Sequence, residues 1–270
     1  MLKEERISAI ADYIKEMQTV SMADLVNRFG VSPNTLRRDL SKLLENGNFK
    51  KIYGGVTVNN NNKSLIDYTE RKSKTSKDKI SIGKVAASLF ESGDLIFLDS
   101  GTTTDAISNF LPRNISYTLI TNSLQLIVAA SELSNVKLLI IGNQFNPKTQ
   151  SFTGTDEDTL FNKYNINKAF MSATGISLNN GVTNSEFNEF KIKSQVLTKS
   201  LSNPNQENIL LIDHTKFDRT ALLTYAQINQ FSKIITSGEA PLKYKEYFEK
   251  NNIELINSHL KTKPSVNPHK

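Results

Sequence analysis

The stretch Val31-Ser-Pro-Asn-Thr-Leu-Arg-Arg-Asp-Leu-Ser-Lys-Leu-Leu-Glu-Asn-Gly47 decides how the amino-terminal part of this chain is read. Ser32 is a good N-cap, and Pro33 suits the first helical position, where a missing N–H costs nothing. Leu36, Leu40, Leu43 and Leu44 recur at helical spacing as one apolar stripe, and Gly47 after Asn46 supplies a stop. Asn34, Arg38, Ser41 and Lys42 therefore fall on the opposite side, with Thr35 and Arg37 on its flanks. Such a helix packs with one side and offers the other to phosphates and base edges. A plain solvated amphipathic helix divides in the same way, so the neighbouring segments decide between the two.

Upstream, Ile7, Ile10, Ala11, Ile14 and Met17 predict a helix over Arg6 to Met17, broken at Gln18-Thr19-Val20. Ser21 caps a second helix with Met22, Leu25, Val26 and Phe29 inward, which ends at Gly30, with only Val31 between it and the Ser32 cap. Two short helices joined by so tight a glycine-containing turn form a helix-turn-helix. Downstream, Phe49, Ile52 and the later β-branched residues flank a Gly54-Gly55 turn, which predicts a two-stranded wing with Lys50 and Lys51 placed to meet phosphate. From Arg28 to Lys51 the bases Arg28, Arg37, Arg38, Lys42, Lys50 and Lys51 are opposed only by Asp39 and Glu45, a basic stripe of the kind counterion release needs. Residues 1–58 are thus expected to be a winged helix-turn-helix DNA-binding domain.

The run from Arg6 through Val58 resembles the N-terminal domain of the DeoR family of bacterial transcriptional regulators. The matching residues are Val31-Ser32, then Thr35-Leu36-Arg37-Arg38-Asp39-Leu40, and at the wing Tyr53-Gly54-Gly55-Val56, where the family has His-Gly-Gly-Ala.

A length of 270 residues suggests about two domains. The net charge of +6 and pI near 9.2 favour polyanionic partners without requiring them. Without cysteine there is no disulfide, thiolate nucleophile or cysteine-ligated zinc. The start Met1-Leu-Lys-Glu-Glu-Arg-Ile lacks the apolar core of a signal peptide, and no run approaches about 18 apolar residues, so a cytoplasmic protein with no membrane partner is expected.

Residues 59–79 open with Asn59-Asn-Asn-Asn62, are short of apolar residues and carry Lys63, Arg71, Lys72, Lys74, Lys77 and Lys79, which predicts an exposed linker, helical near its end. From Ile80 to about residue 257 strand and helix signals alternate. Helices are expected at Ile80 to Phe90, Thr103 to Phe110, Leu124 to Leu133 and Glu186 to Leu201. Strands are expected at Leu95 to Leu98, Tyr117 to Ile120, Val136 to Ile141, Lys168 to Ser172, Ile209 to Ile212, Leu222 to Tyr225 and Lys233 to Thr236. The pattern is that of an α/β, doubly wound, largely parallel sheet, in which ligands bind beyond the carboxyl ends of the strands. Residues 258–270, with Pro264 and Pro268, read as a flexible tail.

Those strand ends hold the candidate effector residues. Asp99-Ser100-Gly101-Thr102-Thr103-Thr104 follows one strand and opens a helix, where backbone N–H groups would hold a phosphate. Thr121-Asn122-Ser123 follows the next strand, and Gly142-Asn143 ends a third. Gly175, Gly181 and Thr183 follow another, Glu186 starts the long helix bearing Lys191, and Asp213-His-Thr-Lys216 ends a later strand. Lys191 and Lys216 are phosphate-binding candidates that compete with plain surface lysines. His214 reads better as a structural histidine than as an acid or base, and His259 and His269 fall in the tail, so no histidine metal site is expected.

The half from about Arg71 to Pro241 resembles the C-terminal sensor domain of the same family. The resemblance rests on Leu98 through Thr104, Thr121-Asn122-Ser123, Gly175-Ile176 with Gly181-Val182-Thr183, Glu186 or Glu189 with Lys191, and Asp213 through Lys216-Phe217. It implies a ribose-5-phosphate isomerase-like fold used to sense phosphorylated sugars. Asn143 replaces a usual second glycine, an arginine frequent just beyond is absent, and Asp213-His214-Thr215-Lys216 is similar to the lactose phosphotransferase-system repressor branch. The function expected is therefore a DNA-binding repressor of a sugar operon. Its partners are double-stranded operator DNA, a phosphorylated sugar effector and further copies of itself in a homodimer or homotetramer, with no cofactor, metal or catalytic residue. Two alternatives remain open on sequence: a phosphosugar isomerase with a DNA-binding appendage, using Glu186, Glu189 or Asp213 as base, and a general nucleic-acid binder with no effector.

Overall fold

A computed structural model describes residues 3–17, 19–45, 49–52, 54–58, 68–73, 76–154 and 163–259. The chain forms two compact units, Met1–Ile66 and Asp67–Lys270. Gly47, Tyr53, the Asn59–Asn62 tract with Lys63, Lys74, and the tail from residue 260 lie outside the described residues.

The first unit runs α1 (Lys3–Met17), β1 (Thr19–Ser21), α2 (Met22–Phe29), α3 (Pro33–Glu45), β2 (Phe49–Ile52) and β3 (Gly55–Val58). The side chain of Ser21 accepts from the Asp24 N–H at the start of α2, and Gly30, at φ +60°, returns its N–H to the Val26 carbonyl at the end. Ser32 caps α3 as expected, its Oγ accepting the Thr35 N–H at 3.2 Å. Ile10, Ile14, Val20, Leu25, Leu36, Leu40, Leu43, Phe49 and Val56 make one core. The wing is three-stranded in the order β1-β3-β2, not two-stranded, because Thr19 and Val20, read as part of a break, pair antiparallel with β3 together with the capping Ser21. Gly55 permits this pairing: a Cβ there would lie 2.4 Å from the Val20 carbonyl oxygen.

The second unit runs α4 (Tyr68–Ser73), α5 (Ser76–Ala87), β4 (Leu95–Leu98), β5 (Tyr117–Thr121), α6 (Leu124–Ser131), β6 (Val136–Ile140), β7 (Gln144–Asn146), β8 (Ser151–Thr153), β9 (Lys168–Ser172), β10 (Gly175–Ser177), β11 (Gly181–Asn184), α7 (Phe187–Ser200), β12 (Glu207–Ile212), β13 (Leu223–Ala226), β14 (Lys233–Thr236), α8 (Leu242–Lys250) and β15 (Glu254–Asn257). Seven strands form a parallel sheet in the order β15-β14-β12-β9-β4-β5-β6. Alternate residues feed two cores. Phe97, Met171, Leu210 and Ile234 meet α7 and α8, while Ile96, Leu98, Phe170 and Leu211 meet α5 and α6. Strand order reverses between β4 and β9, which makes their carboxyl ends the switch point where such sheets bind ligands.

Three expectations are corrected. The stretch read as a linker through Lys79 is helical near its end as expected, over Tyr68–Ser73 and again from Ser76, but it is not wholly exposed, since Tyr68 and Lys79 are both buried. The helix expected at Thr103 to Phe110 is a 3-10 helix over Asp105–Phe110, with the Ile107 N–H bonding the Thr104 carbonyl three residues back at 3.0 Å and no side-chain cap from Thr104, whose hydroxyl donates to the Gly101 carbonyl. The flexible tail does not begin at Ser258, whose N–H bonds the Thr236 carbonyl at 2.8 Å.

Candidate functional site

On α3, Leu36, Leu40 and Leu43 are buried while Ser32, Asn34, Arg37, Arg38, Ser41 and Lys42 are exposed and Thr35 is half-buried. Asp39 lies on the inner side, 1% exposed, where Arg6 of α1 donates to it at 2.7 Å. The carboxylate that follows the two arginines therefore subtracts nothing from the outer surface, which is more cationic than the sequence count implies. Asn34 accepts from Arg37 at 3.3 Å and Ser41 donates to the Arg37 carbonyl, so the face is ordered without being neutralised. Lys50 and Lys51 of β2 are exposed, and Arg28 lies 4.1 Å from the centre of the Tyr13 ring.

At the switch point of the sheet, the expected effector residues are buried among one another. Asp99 accepts from the Ser172 N–H at 2.9 Å and hydroxyl at 2.7 Å, and from the ammonium of Lys193, which also reaches the Ser172 carbonyl. Tyr225 lies against Lys193 and donates to the Ser172 carbonyl at 2.8 Å; burial, then Asp99, pushes its phenol well above the ordinary range. Ser100 bonds through its N–H to Asn122 and through its hydroxyl to Glu189, which also accepts from Ser151 and Asn184. Gly101, at φ +153°, leaves no room for a side chain, since a Cβ would meet the Ser172 hydroxyl at 2.4 Å. Among the described residues the second carboxylate oxygen of Asp99 has no hydrogen-bond partner.

Beside this network opens a cavity of about 160 Å³ lined by Lys72, Ser76, Lys79, Thr102, Asp105, Asn109 and Gln125, among others. Lys79 is 4% exposed and donates to the Arg71 carbonyl, and Lys72 reaches Gln125 at 3.4 Å. Burial pushes the Asp105 carboxyl up to about 7, against the hydrogen bond it accepts from the Ser123 hydroxyl. The wall thus sets two ammonium groups, hydroxyls, amides and one carboxyl raised by burial into a lining that is otherwise mostly apolar, Ile80 and Ala106 included.

The sequence-derived set divides accordingly. Asp99, Ser100, Gly101, Asn122 and the buried Glu189 share one network, while Thr102 lines the cavity and Thr103 and Thr104 are buried beside it. Ser123 caps α6 and donates to Asp105. Gly142 and Gly175 serve packing instead: a Cβ would lie 2.7 Å from the Phe152 carbonyl carbon and 2.4 Å from the Arg219 oxygen, respectively. Lys191 does not join the network; it is exposed, 5.6 Å from the Phe187 ring, and Lys193 two residues on reaches the strand tips. Glu186 is half-buried, its carboxyl raised by burial and by Glu189. Lys216 is half-buried beside Asp213; burial would raise that carboxyl, but Lys216, Thr215 and Lys79 together hold it below the usual range. Lys72, Lys79, Asp105 and Lys193 are absent from the sequence-derived set. No group of three or more potential metal-ligating side chains is found among the described residues, and none of their helices is long and apolar enough to cross a membrane.

A winged helix-turn-helix unit joined to a parallel α/β unit with a small cavity near its strand ends defines a DNA-binding regulator of the two-part kind. Residues 6–62 match the DeoR-like helix-turn-helix domain and residues 74–238 the DeoR C-terminal sensor domain. The HTH-type transcriptional regulator IolR of Bacillus subtilis is 42% identical over 252 residues, covering 93% of this chain and 98% of that protein. The lactose phosphotransferase system repressor of Lactococcus lactis is 30% identical over 251 residues, covering 92% and 96%. The HTH-type transcriptional repressor GlcR of Bacillus subtilis is 27% identical over 256 residues, covering 95% and 96%. The chain belongs to the DeoR family of transcriptional regulators. Among solved structures, a D-ribose-5-phosphate isomerase in complex with phospho-erythronic acid superposes with a TM-score of 0.38 at 17% identity, covering 53% of this chain and 54% of that one. That likeness is loose, and the parallel sheet stands without it.

Proposed function

We propose that this regulator represses a sugar-uptake or sugar-catabolism operon and leaves its operator when a phosphorylated sugar occupies the sensor unit. The observation that carries the reading is the cavity with Lys72, Lys79, Thr102 and Gln125 on its wall. A phosphoryl dianion needs cations and donors, sugar hydroxyls need amides and carboxyls, and both kinds of group are present at one place. Its volume is below the roughly 300–1,000 Å³ of pockets for drug-sized ligands and suits a small metabolite. Two relatives are named as repressors, one of them for the lactose phosphotransferase system.

On this reading Asn34, Arg37, Arg38, Ser41 and Lys42 enter the major groove, with Ser32, Thr35, Lys50 and Lys51 at the flanking phosphates. Two copies present two such helices to half-sites about 10 base pairs, or a multiple, apart. The work is done in the cytoplasm, where operator and effector meet. The effector acts only by its difference in affinity between the operator-competent and released states. Isothermal titration of the full chain with a panel of pentose and hexose phosphates tests the sensor half. Binding by at least one, lost in Lys79→Met, is expected; no binding by any member would remove the effector from the proposal.

A further inference from the structure

We infer that Asn34 and Arg37 act as one reading unit that accepts a guanine and turns away an adenine, because Arg37 engages the side-chain oxygen with which an asparagine reads adenine. The inference rests on α3 entering the major groove.

Asn34 lies in the first turn of α3 and Arg37 one turn further on, so their side chains meet. Both are exposed, and the Arg37 Nη1 donates to the Asn34 Oδ1 at 3.3 Å. A guanidinium has only donors, so the end of the amide that faces it is the oxygen. The bond leaves Asn34 with its amide N–H donors for a further partner, and Arg37 with the rest of its guanidinium N–H groups. The neighbours add donors as well. Arg38 and Lys42 are exposed, and neither makes a side-chain hydrogen bond or ion pair with the described residues. Asp39 is withdrawn to Arg6, and Ser41 gives its proton to the Arg37 carbonyl at 2.9 Å.

In the major groove guanine shows two acceptors, N7 and O6, whereas adenine shows the N7 acceptor beside the N6 donor. An asparagine reads adenine by donating to N7 and accepting from N6, which needs its oxygen. Here that oxygen already accepts from a guanidinium, and a charge-assisted bond is roughly twice as strong as one from the neutral N6 amine, so adenine does not displace it. A guanine at the same place takes N–H groups from the pair and leaves the Asn34–Arg37 bond intact. The pair stands at the amino-terminal end of the recognition helix, where helix-turn-helix proteins contact base edges.

Selection of the full chain on a pool of randomised duplexes, followed by competition between single-base-pair variants of the selected site, tests this. Asn34→Ala identifies the base pair that Asn34 reads as the one where discrimination falls. The wild-type chain is expected to prefer guanine to adenine there by about 5- to 150-fold, the worth of one good base contact. Arg37→Ala frees the Asn34 oxygen, so the same base pair should turn to favour adenine, and Asn34→Ala/Arg37→Ala should prefer neither. Both side chains are exposed, so thermal unfolding should be unchanged in all three variants. Three results overturn the inference while leaving operator binding standing: adenine at that pair in the wild type, an Asn34→Ala variant with undiminished discrimination everywhere, or an Arg37→Ala variant that still favours guanine. A wild-type chain that selects no sequence at all overturns the operator reading together with it.

Discussion

Replacing Lys193 by methionine should expose how the sensor site is held together. Lys193 and Asp99 are each 1% exposed, and the methionine stem fills nearly the same space without the charge. Removing the ammonium leaves a carboxylate buried with only the Ser172 N–H and hydroxyl to stabilise it. Breaking a buried pair from one side costs roughly 3–5 kcal/mol. In a unit the size of residues 67–270 each kcal/mol corresponds to about 2–4 °C, so the sensor transition in calorimetry should fall by roughly 6–20 °C. Removing the stranded charge as well, in Asp99→Asn/Lys193→Met, should return more than half of the loss, because an amide is cheaper to bury than an unpaired carboxylate. The DNA-binding unit has its own core, so operator binding at low temperature should survive while induction is lost. A drop under about 2 °C, or a double variant no more stable than the single one, would refute the buried pair as the fastening of β4 to β9.

Other substitutions probe the remaining parts. Arg38→Ala should weaken operator binding by about 10- to 100-fold if the guanidinium reads a base, with loss concentrated at one base pair; equal weakening on all DNA, with a shallower salt slope, would make it a phosphate contact. Gly83 sits in α5 where a Cβ would lie 2.7–2.9 Å from the main chain of Ala106 and Ile107, so Gly83→Ala should cost about 1–3 kcal/mol in chemical denaturation and narrow the adjoining cavity. The Asp105 carboxyl is raised to about 7 in the folded chain, so the folded state holds a proton that the unfolded state has given up, and stability falls as pH rises from about 4 to 7. Asp105→Asn should remove that fall, seen as a larger gain in Tm at pH 8 than at pH 5.

The elements read correctly from sequence were those fixed by local rules. The Ser32 cap, the Gly30 stop and the leucine stripe of α3 are decided within one or two turns of chain, and the parallel strands are short apolar runs. β1 was not legible because its partner, β3, lies far along the sequence and three residues carry no periodicity. The site was half legible. Asp99, Ser100, Gly101, Asn122 and Thr102 announced themselves at strand ends, but the charges that organise them did not, because each sits on an apolar stripe. Asp39 lies between Leu36 and Leu43, Lys79 one turn before Ile82 and Gly83, and Lys193 one turn before Val196 and Leu197. A charge in such a stripe is buried only with a partner, and the partners here are Arg6, the Arg71 carbonyl and Asp99. The phase of the apolar stripe on α7 selects Lys193 over Lys191.

The most direct test of the whole account is fluorescence anisotropy of the full chain on DNA from upstream of its own gene, with and without each member of a sugar phosphate panel. The account predicts tight, sequence-dependent binding that one sugar phosphate weakens by about 5- to 150-fold, the ordinary span of allosteric coupling, and that Lys79→Met renders insensitive to the same compound. Equal affinity for scrambled DNA, or an operator affinity that no phosphorylated sugar changes, would contradict it.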